Sequence, residues 1–207
     1  MDEIKDIKTI KKSAEIKFKE KSSLFIGASY FVSSDDDAIL NLEKVKKKYF
    51  DATHHCFAYK FLNGEVKFSD DGEPSGTAGK RILNSIEHFN MVNCLIIITR
   101  YFGGTKLGIG PLGKAYYKSA VQAIEASEII IQKPYSIINI NCDYSYLNLL
   151  HRSLSNHDSR IIETDYNPNV KFICYINVNE KDQFVKELTE TSNGKIKIDI
   201  NSLIYYL

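Results

Sequence analysis

The segment pattern predicts an α+β protein in two parts, and three observations carry that expectation. Strand-like runs are interleaved with three helix-like ones over the first two thirds of the chain. A break then falls at Lys133-Pro134, because proline disfavours helix at the residue before it. After the break the order is strand, helix, strand, strand, helix, strand, the split β-α-β arrangement of a ferredoxin-like domain. The expected domains are therefore 1–133 and 134–207.

Each element has a local reason. Glu15 to Lys19 and Ser22 to Val32 read as strands. Asp35 to Tyr49 reads as a helix with Ser33 or Ser34 as N-cap and acidic residues in its first turn. His54 to Phe61 and Glu65 to Ser69 form a hairpin around Asn63-Gly64, a strong turn pair. Gly76 to Phe89 reads as a helix, with Ser75 or Thr77 able to cap it. Val92 to Thr99 is a buried strand, and a helix runs from Pro111 to Ala126, where proline suits the first turn. In the second part the pieces are Tyr135–Cys142, Ser145–Ser155, Arg160–Asp165, Val170–Val178, Glu180–Glu190 and Ile196–Ile204. The first dozen residues read as a frayed or helical arm.

Composition sets outer limits on function. An apolar fraction of 43% and a charged fraction of 26% describe a soluble globular protein. No apolar run approaches the roughly 20 residues that span a bilayer. Met1 to Lys21 is densely charged and lacks the apolar core of a signal peptide, so a cytoplasmic location without membrane contact is expected. Cys56, Cys94, Cys142 and Cys174 lie far apart, with no zinc-ligand spacing, and read as reduced, mostly buried thiols. Cys56, beside two histidines, is the exception worth testing. The net charge of +1 gives no global case for nucleic acid, although residues 1–133 carry 20 Lys and Arg against 17 Asp and Glu. Residues 134–207 carry 7 against 9.

Three segments are too polar or too rich in glycine for a core. Thr53-His54-His55-Cys56 is one, and Ser69-Asp70-Asp71-Gly72-Glu73-Pro74-Ser75-Gly76-Thr77-Ala78-Gly79-Lys80 is the second. The acidic segment suits a helix entry, with Asp70, Asp71 and Glu73 near the positive end of the helix. The alternative is a site in which His54, His55 or Cys56 acts as base or nucleophile and the three carboxylates hold a metal or move protons. The third segment, Arg100 to Gly113, holds five of the eleven glycines. Gly108-x-Gly110-x-x-Gly113 fits a dinucleotide expression, and Gly108 to Lys114 fits a P-loop. Both fail physically. Ala115 stands where a P-loop needs Ser or Thr for magnesium, and the first glycine lies about eight residues beyond the strand instead of directly after it. What survives is an anion cradle of backbone N–H groups and a helix N-terminus, flanked by Arg100, Lys106 and Lys114. Gly103, Gly104, Gly108 and Gly110 would let phosphate approach, Lys80 adds charge, and Tyr101 with Phe102 either stack on bases or anchor the loop in the core.

The same segments carry a resemblance. Asp51-Ala52-Thr53-His54-His55-Cys56-x-Ala58-Tyr59, then the run Ser69 to Lys80, then Arg100 to Gly108-x-Gly110 and Lys114-Ala115-Tyr116, resemble the YigZ/IMPACT family in the right order. The resemblance implies an N-terminal β-α domain similar to domain two of ribosomal protein S five. It also implies a ferredoxin-like C-terminal domain similar to the last domain of elongation factor G, a factor in which related domains touch ribosome and RNA. The eukaryotic branch regulates translation through an activator of a stress kinase, using an additional N-terminal domain that these 207 residues do not include. The chain departs from the family pattern at Pro111, where Gly is common, at Gly113, where a larger apolar residue is common, and at Arg81, where Pro is common. The resulting expectation is a non-enzymatic regulator of translation or stress response that binds RNA or a ribosome-associated surface and needs no cofactor. The alternatives are a hydrolase or metal-dependent enzyme built on His54, Cys56, Asp70, Asp71 and Glu73, or a protein-interaction module.

Overall fold

An apolar strand with no polar side requires cover on both faces, and the run Cys94 to Thr99 has it. The computed structural model describes residues 4–207. It folds as two units, Lys8–Ile131 and Gln132–Leu207, the latter taking in the described residues up to Ile7. The chain order begins β1 (Ile7–Lys12), β2 (Glu15–Glu20), β3 (Ser23–Phe31), α1 (Asp35–Lys48), β4 (His54–Lys60) and β5 (Val66–Ser69). It continues with α2 (Gly79–His88), β6 (Cys94–Tyr101), α3 (Ile109–Glu125) and β7 (Glu128–Gln132). An antiparallel sheet ordered β2-β3-β6-β4-β5 puts β6 at its centre. One face of this sheet, with Phe25, Cys56, Ala58, Ile96 and Ile98, packs on α2 and α3 through Ile82, Ile86, Leu112, Tyr116 and Ala120. The other, with Tyr59, Leu95 and Ile97, packs on α1 through Ala38 and Val45. Side chains alternate across a strand, so neighbours in sequence on β4 and β6 serve different layers.

The second unit adds β8 (Pro134–Cys142), a 3₁₀ turn at Tyr144–Tyr146, α4 (Leu147–Ser155), β9 (Ser159–Asp165), β10 (Val170–Asn177), α5 (Lys181–Thr191) and β11 (Lys197–Tyr206). Its antiparallel sheet is ordered β11-β8-β10-β9. That is the order expected when two β-α-β crossovers interlock. Ile138, Ile140, Phe172 and Cys174 face Leu150, Leu154, Phe184 and Leu188 in one core. No helix among the described residues is long and apolar enough to cross a membrane.

Two local expectations are corrected. Residues 7–12 are not a helical or frayed arm: β1 pairs with β7 and buries Ile7 and Ile10. The first three residues of that expected arm lie outside the described residues. Glu128–Gln132 is that partner strand, and its Ile-Ile-Ile core favours extended backbone. Neither Ser75 nor Thr77 caps α2. The cap position is Ala78, without a side-chain bond, and the Thr77 hydroxyl donates to the Pro74 carbonyl at 2.6 Å. By contrast, Ser34 caps α1 as expected, accepting from the Asp37 N–H at 3.2 Å, while Asp37 accepts from the Ser33 N–H and hydroxyl.

The α2 terminus is served from outside the helix. Asp70 Oδ1 accepts the N–H groups of Ala78 and Gly79 at 2.9 and 2.8 Å, and Oδ2 accepts that of Gly76 at 2.8 Å. A charged acceptor here answers the orphan donors of the first turn and the positive helix end together. Gly79 is required beside it, because a Cβ there would lie 2.8 Å from the backbone of Ser69. Asp70→Ala is expected to lower unfolding free energy by about 2 kcal/mol. Asp70→Asn should cost less, since Oδ1 keeps its two donors while the new NH₂ faces the Gly76 N–H. Thermal and urea unfolding of the full chain test this ranking, which fails if both variants match the parent.

Candidate functional site

The pairing register fixes which polar side chains meet. His54 on β4 and Phe25 on β3 both pair with Arg100 on β6, so all three share the face under α2 and α3. There Arg100 Nη1 donates to Glu73 Oε1 at 2.6 Å, and Nη2 donates to Ser23 Oγ at 3.1 Å. The Tyr116 hydroxyl of α3 donates to the same Glu73 oxygen at 2.7 Å. The guanidinium lies 5.4 Å from the ring centres of both Phe25 and Phe102, within cation–π range of each. Arg100 is 5% exposed and Glu73 9%. Arg100 is thus buried in the fold and not solvent-facing, and two of its five N–H donors are committed to Glu73 and Ser23. A third is not, since Arg100 Nε is buried and has no hydrogen-bond partner among the described residues.

The structure does not bring His54, His55 and Cys56 together around the carboxylates. His54 Nδ1–H donates to the Asp71 carbonyl at 2.7 Å, leaving Nε2 3.8 Å from Glu73 Oε1. His55 points to the opposite face of the sheet, as strand alternation requires, where its Nε2 donates to the Tyr49 carbonyl at 3.0 Å. Burial pushes the His55 imidazole below its ordinary pKa. Asp71 Oδ2 accepts the His55 N–H at 2.6 Å and so belongs to the backbone of β4. Asp70 is spent on α2. The Cys56 thiol is fully buried between the Asp70 carbonyl (3.0 Å) and the Tyr116 hydroxyl (3.4 Å). Burial pushes its pKa far up, opposite to what a nucleophile needs. Among the described residues no three His, Cys, Asp or Glu side chains are placed to hold a metal.

The glycine loop is built more firmly than flexible residues suggest. A Cβ on Gly103 would sit 1.8 Å from the Ser22 carbonyl oxygen, so the loop lies directly on the β2–β3 turn. Gly108 caps α3 at φ +84°, a conformation that favours glycine, without a side-chain cap bond. Gly104 and Gly110 leave open space at their Cβ positions. Tyr101 and Phe102 do not form one platform. The Tyr101 hydroxyl donates to Asp51 at 2.7 Å, and that bond pushes its pKa up to about 12. Phe102 covers Arg100 and stays 43% exposed.

Two hollows share the first turn of α3. One, about 350 Å³, is lined by Glu73, Arg100, Phe102, Lys106, Gly108 and Ile109 among others. The other, about 420 Å³, runs between α2 and α3 and is lined by Arg81, Asn84, Gly110, Gly113, Lys114 and Tyr117. Gly113 makes the second possible by letting the Arg81 stem lie against α3: a Cβ there would be 3.2 Å from Arg81 Nε. Neither helix carries an acidic residue in its first turn. Lys80, Arg81, Lys106 and Lys114 are exposed and form no salt bridge among the described residues, whereas Lys118 Nζ lies over the Phe18 ring of β2, 4.7 Å from its centre. Sequence reasoning named Lys80, Lys106 and Lys114 but missed Arg81, Asn84 and Tyr117. The signal was the three-residue spacing of Arg81 and Asn84 and of Lys114 and Tyr117, which puts each pair on one helix face.

The open face of the second unit differs. Its hollow of about 400 Å³ sets Lys171 and Lys197 among Glu163, Asp165 and Asp199, so its charges offset one another.

All four cysteines are free and buried, and burial pushes the Cys94 and Cys174 thiols up to about 12. The folded chain is therefore expected to show almost no reaction with a disulfide reagent at pH 8, and four equivalents once unfolded. Rapid titration of Cys56 in the native state would contradict this site description. Glu73→Ala should destabilise by about 3–5 kcal/mol because it strands a buried guanidinium. Tyr116→Phe should cost about 1 kcal/mol.

Comparison with known proteins agrees with both units. The Impact N-terminal domain matches residues 21–124, and a domain of unknown function, DUF1949, matches residues 140–195. The IMPACT family member YvyE of Bacillus subtilis is 34% identical over 199 residues, covering 95% of this chain and 92% of that protein. The IMPACT family member YigZ of Escherichia coli is 30% identical, covering 86% and 89%. A crystal structure of a hypothetical protein superposes with a TM-score of 0.66 at 27% identity, over 95% of this chain and 97% of that one. With a family match over half its length and relatives aligned nearly end to end, the chain belongs to the IMPACT family.

Proposed function

We propose that this protein is a binding protein that acts on translation by holding single-stranded RNA along the groove between α2 and α3. The observation that carries the reading is the cationic rim without ion-pair partners among the described residues: Lys80 and Arg81 on one helix and Lys114 on the other, with Lys106 on the adjoining loop. Phosphates spaced along a strand meet such a rim without sequence preference, and Tyr117 in the groove wall gives a base a ring to stack on. The helix N-termini add a favourable field for the backbone. The translational part of the reading rests on family membership and on the resemblance of both domains to ribosomal and elongation-factor domains. The mixed charges of the second unit suit a contact with a protein or a shaped surface better than a second polyanion site.

The groove makes a quantitative demand. Each phosphate neutralised on a single strand contributes a slope of about −0.7 to log affinity against log salt. Full-length protein titrated against a labelled single-stranded RNA over a salt series should therefore show linear salt dependence. Arg81→Ala with Lys114→Ala should weaken binding and flatten the slope by about 1.4. Binding that is absent, or that keeps its slope in the double variant, overturns the assignment.

A further inference from the structure

The hollow beside the RNA groove has a different chemistry, and we propose that it is a site for a nucleoside 5′-phosphate, a terminal phosphate monoester with a planar base. The proposal does not depend on the groove.

Three donors lie at the hollow without partners. Arg100 Nε is buried and unsatisfied. A buried N–H of this kind is uncommon, because leaving it unpaired costs about 1–3 kcal/mol, and it points to a ligand atom that completes it. Lys106 is exposed at the rim with no ion-pair partner among the described residues. The N–H group of Ile109 opens α3, whose cap residue Gly108 supplies no side chain to it. Glu73 also faces the hollow, yet Arg100 neutralises it and the Tyr116 hydroxyl holds the same oxygen. Lys106 and the helix N-terminus therefore leave the hollow positive.

The shape selects a terminal group attached to an apolar or planar body. Glu73, Leu107 and Leu112 line the hollow and are buried, which suits a terminal group better than a chain that runs on past the anion. Three free oxygens of a monoester can serve Arg100 Nε, Lys106 and the Ile109 N–H together. The walls are apolar. Phe102 covers the Arg100 guanidinium with one ring face and keeps 43% of its surface open, and Ile109 is 73% exposed on the facing wall. A base between them stacks on Phe102. A volume of about 350 Å³ lies in the range of small-ligand sites. The same chemistry is available as a free nucleotide or as the 5′ end of an RNA strand.

Calorimetric titration of the full chain separates the cases. Adenosine 5′-monophosphate should bind at least about tenfold more tightly than adenosine, because charge-assisted hydrogen bonds carry the affinity. It should also bind more tightly than inorganic phosphate. Phe102→Ala and Lys106→Ala, both at exposed positions, should each weaken it about fivefold or more. In a ¹⁵N spectrum, the one arginine Nε–H signal protected from solvent exchange should shift with adenosine 5′-monophosphate and stay in place with adenosine. A 5′-phosphorylated oligomer that outbinds its 5′-hydroxyl counterpart identifies an RNA end, and equal binding of the two oligomers identifies a free nucleotide. Equal affinity for adenosine and its monophosphate, binding no tighter than inorganic phosphate, or a protected arginine signal that never moves would overturn the proposal. RNA binding through Arg81 and Lys114 would survive any of those results.

Discussion

The buried pair of Arg100 and Glu73 is the interaction on which the first unit turns. It joins the end of the central strand to the acidic segment, reaches α3 through Tyr116 and reaches β3 through Ser23. A buried ion pair is costly to desolvate and holds only when its remaining polar atoms are satisfied. Here the tyrosine and serine hydroxyls and two aromatic rings supply much of that compensation. Once this pair is formed, the acidic segment, the glycine loop and the start of α3 converge in one place.

That constraint redistributes the functional chemistry. The residues most eye-catching in the sequence, His54, His55, Cys56, Asp70 and Asp71, are absorbed into hydrogen bonds that shape β4 and begin α2. What remains available to a ligand is less conspicuous: one unpaired guanidinium nitrogen, the open N–H groups of α3, and cations on two helix faces. The first turn of α3 serves both hollows, one through Gly108 and Ile109 and the other through Gly110 and Gly113. A polymer in the groove and a small anion in the hollow would therefore meet the same element.

Much of the architecture was legible in the sequence because it follows local rules. The Asn63-Gly64 turn, the two-sided apolar run of β6, the Ser34 cap and the element order after Pro134 each have a short-range cause. β1 was missed because its strand character depends on pairing with β7, more than a hundred residues away. β7 was missed because a short Ile-rich run beside a helix has no periodicity of its own. The site was harder still. Arg100 looked like a free cation because its partner, Glu73, is brought to it only by the hairpin and the α2 entry. His54 and His55 looked like a pair because adjacency in sequence hides the opposite faces of a strand. Arg81 became visible only when Gly113 was seen to make room for it.

The account stands or falls on whether nucleic acid meets α2 and α3. Ultraviolet crosslinking of the full-length protein in cells, followed by mapping of RNA-linked peptides, reads that contact directly. Crosslinks are expected on the peptide of α3 that contains Tyr117. Protein that carries no RNA, or crosslinks confined to residues 134–207, would contradict it.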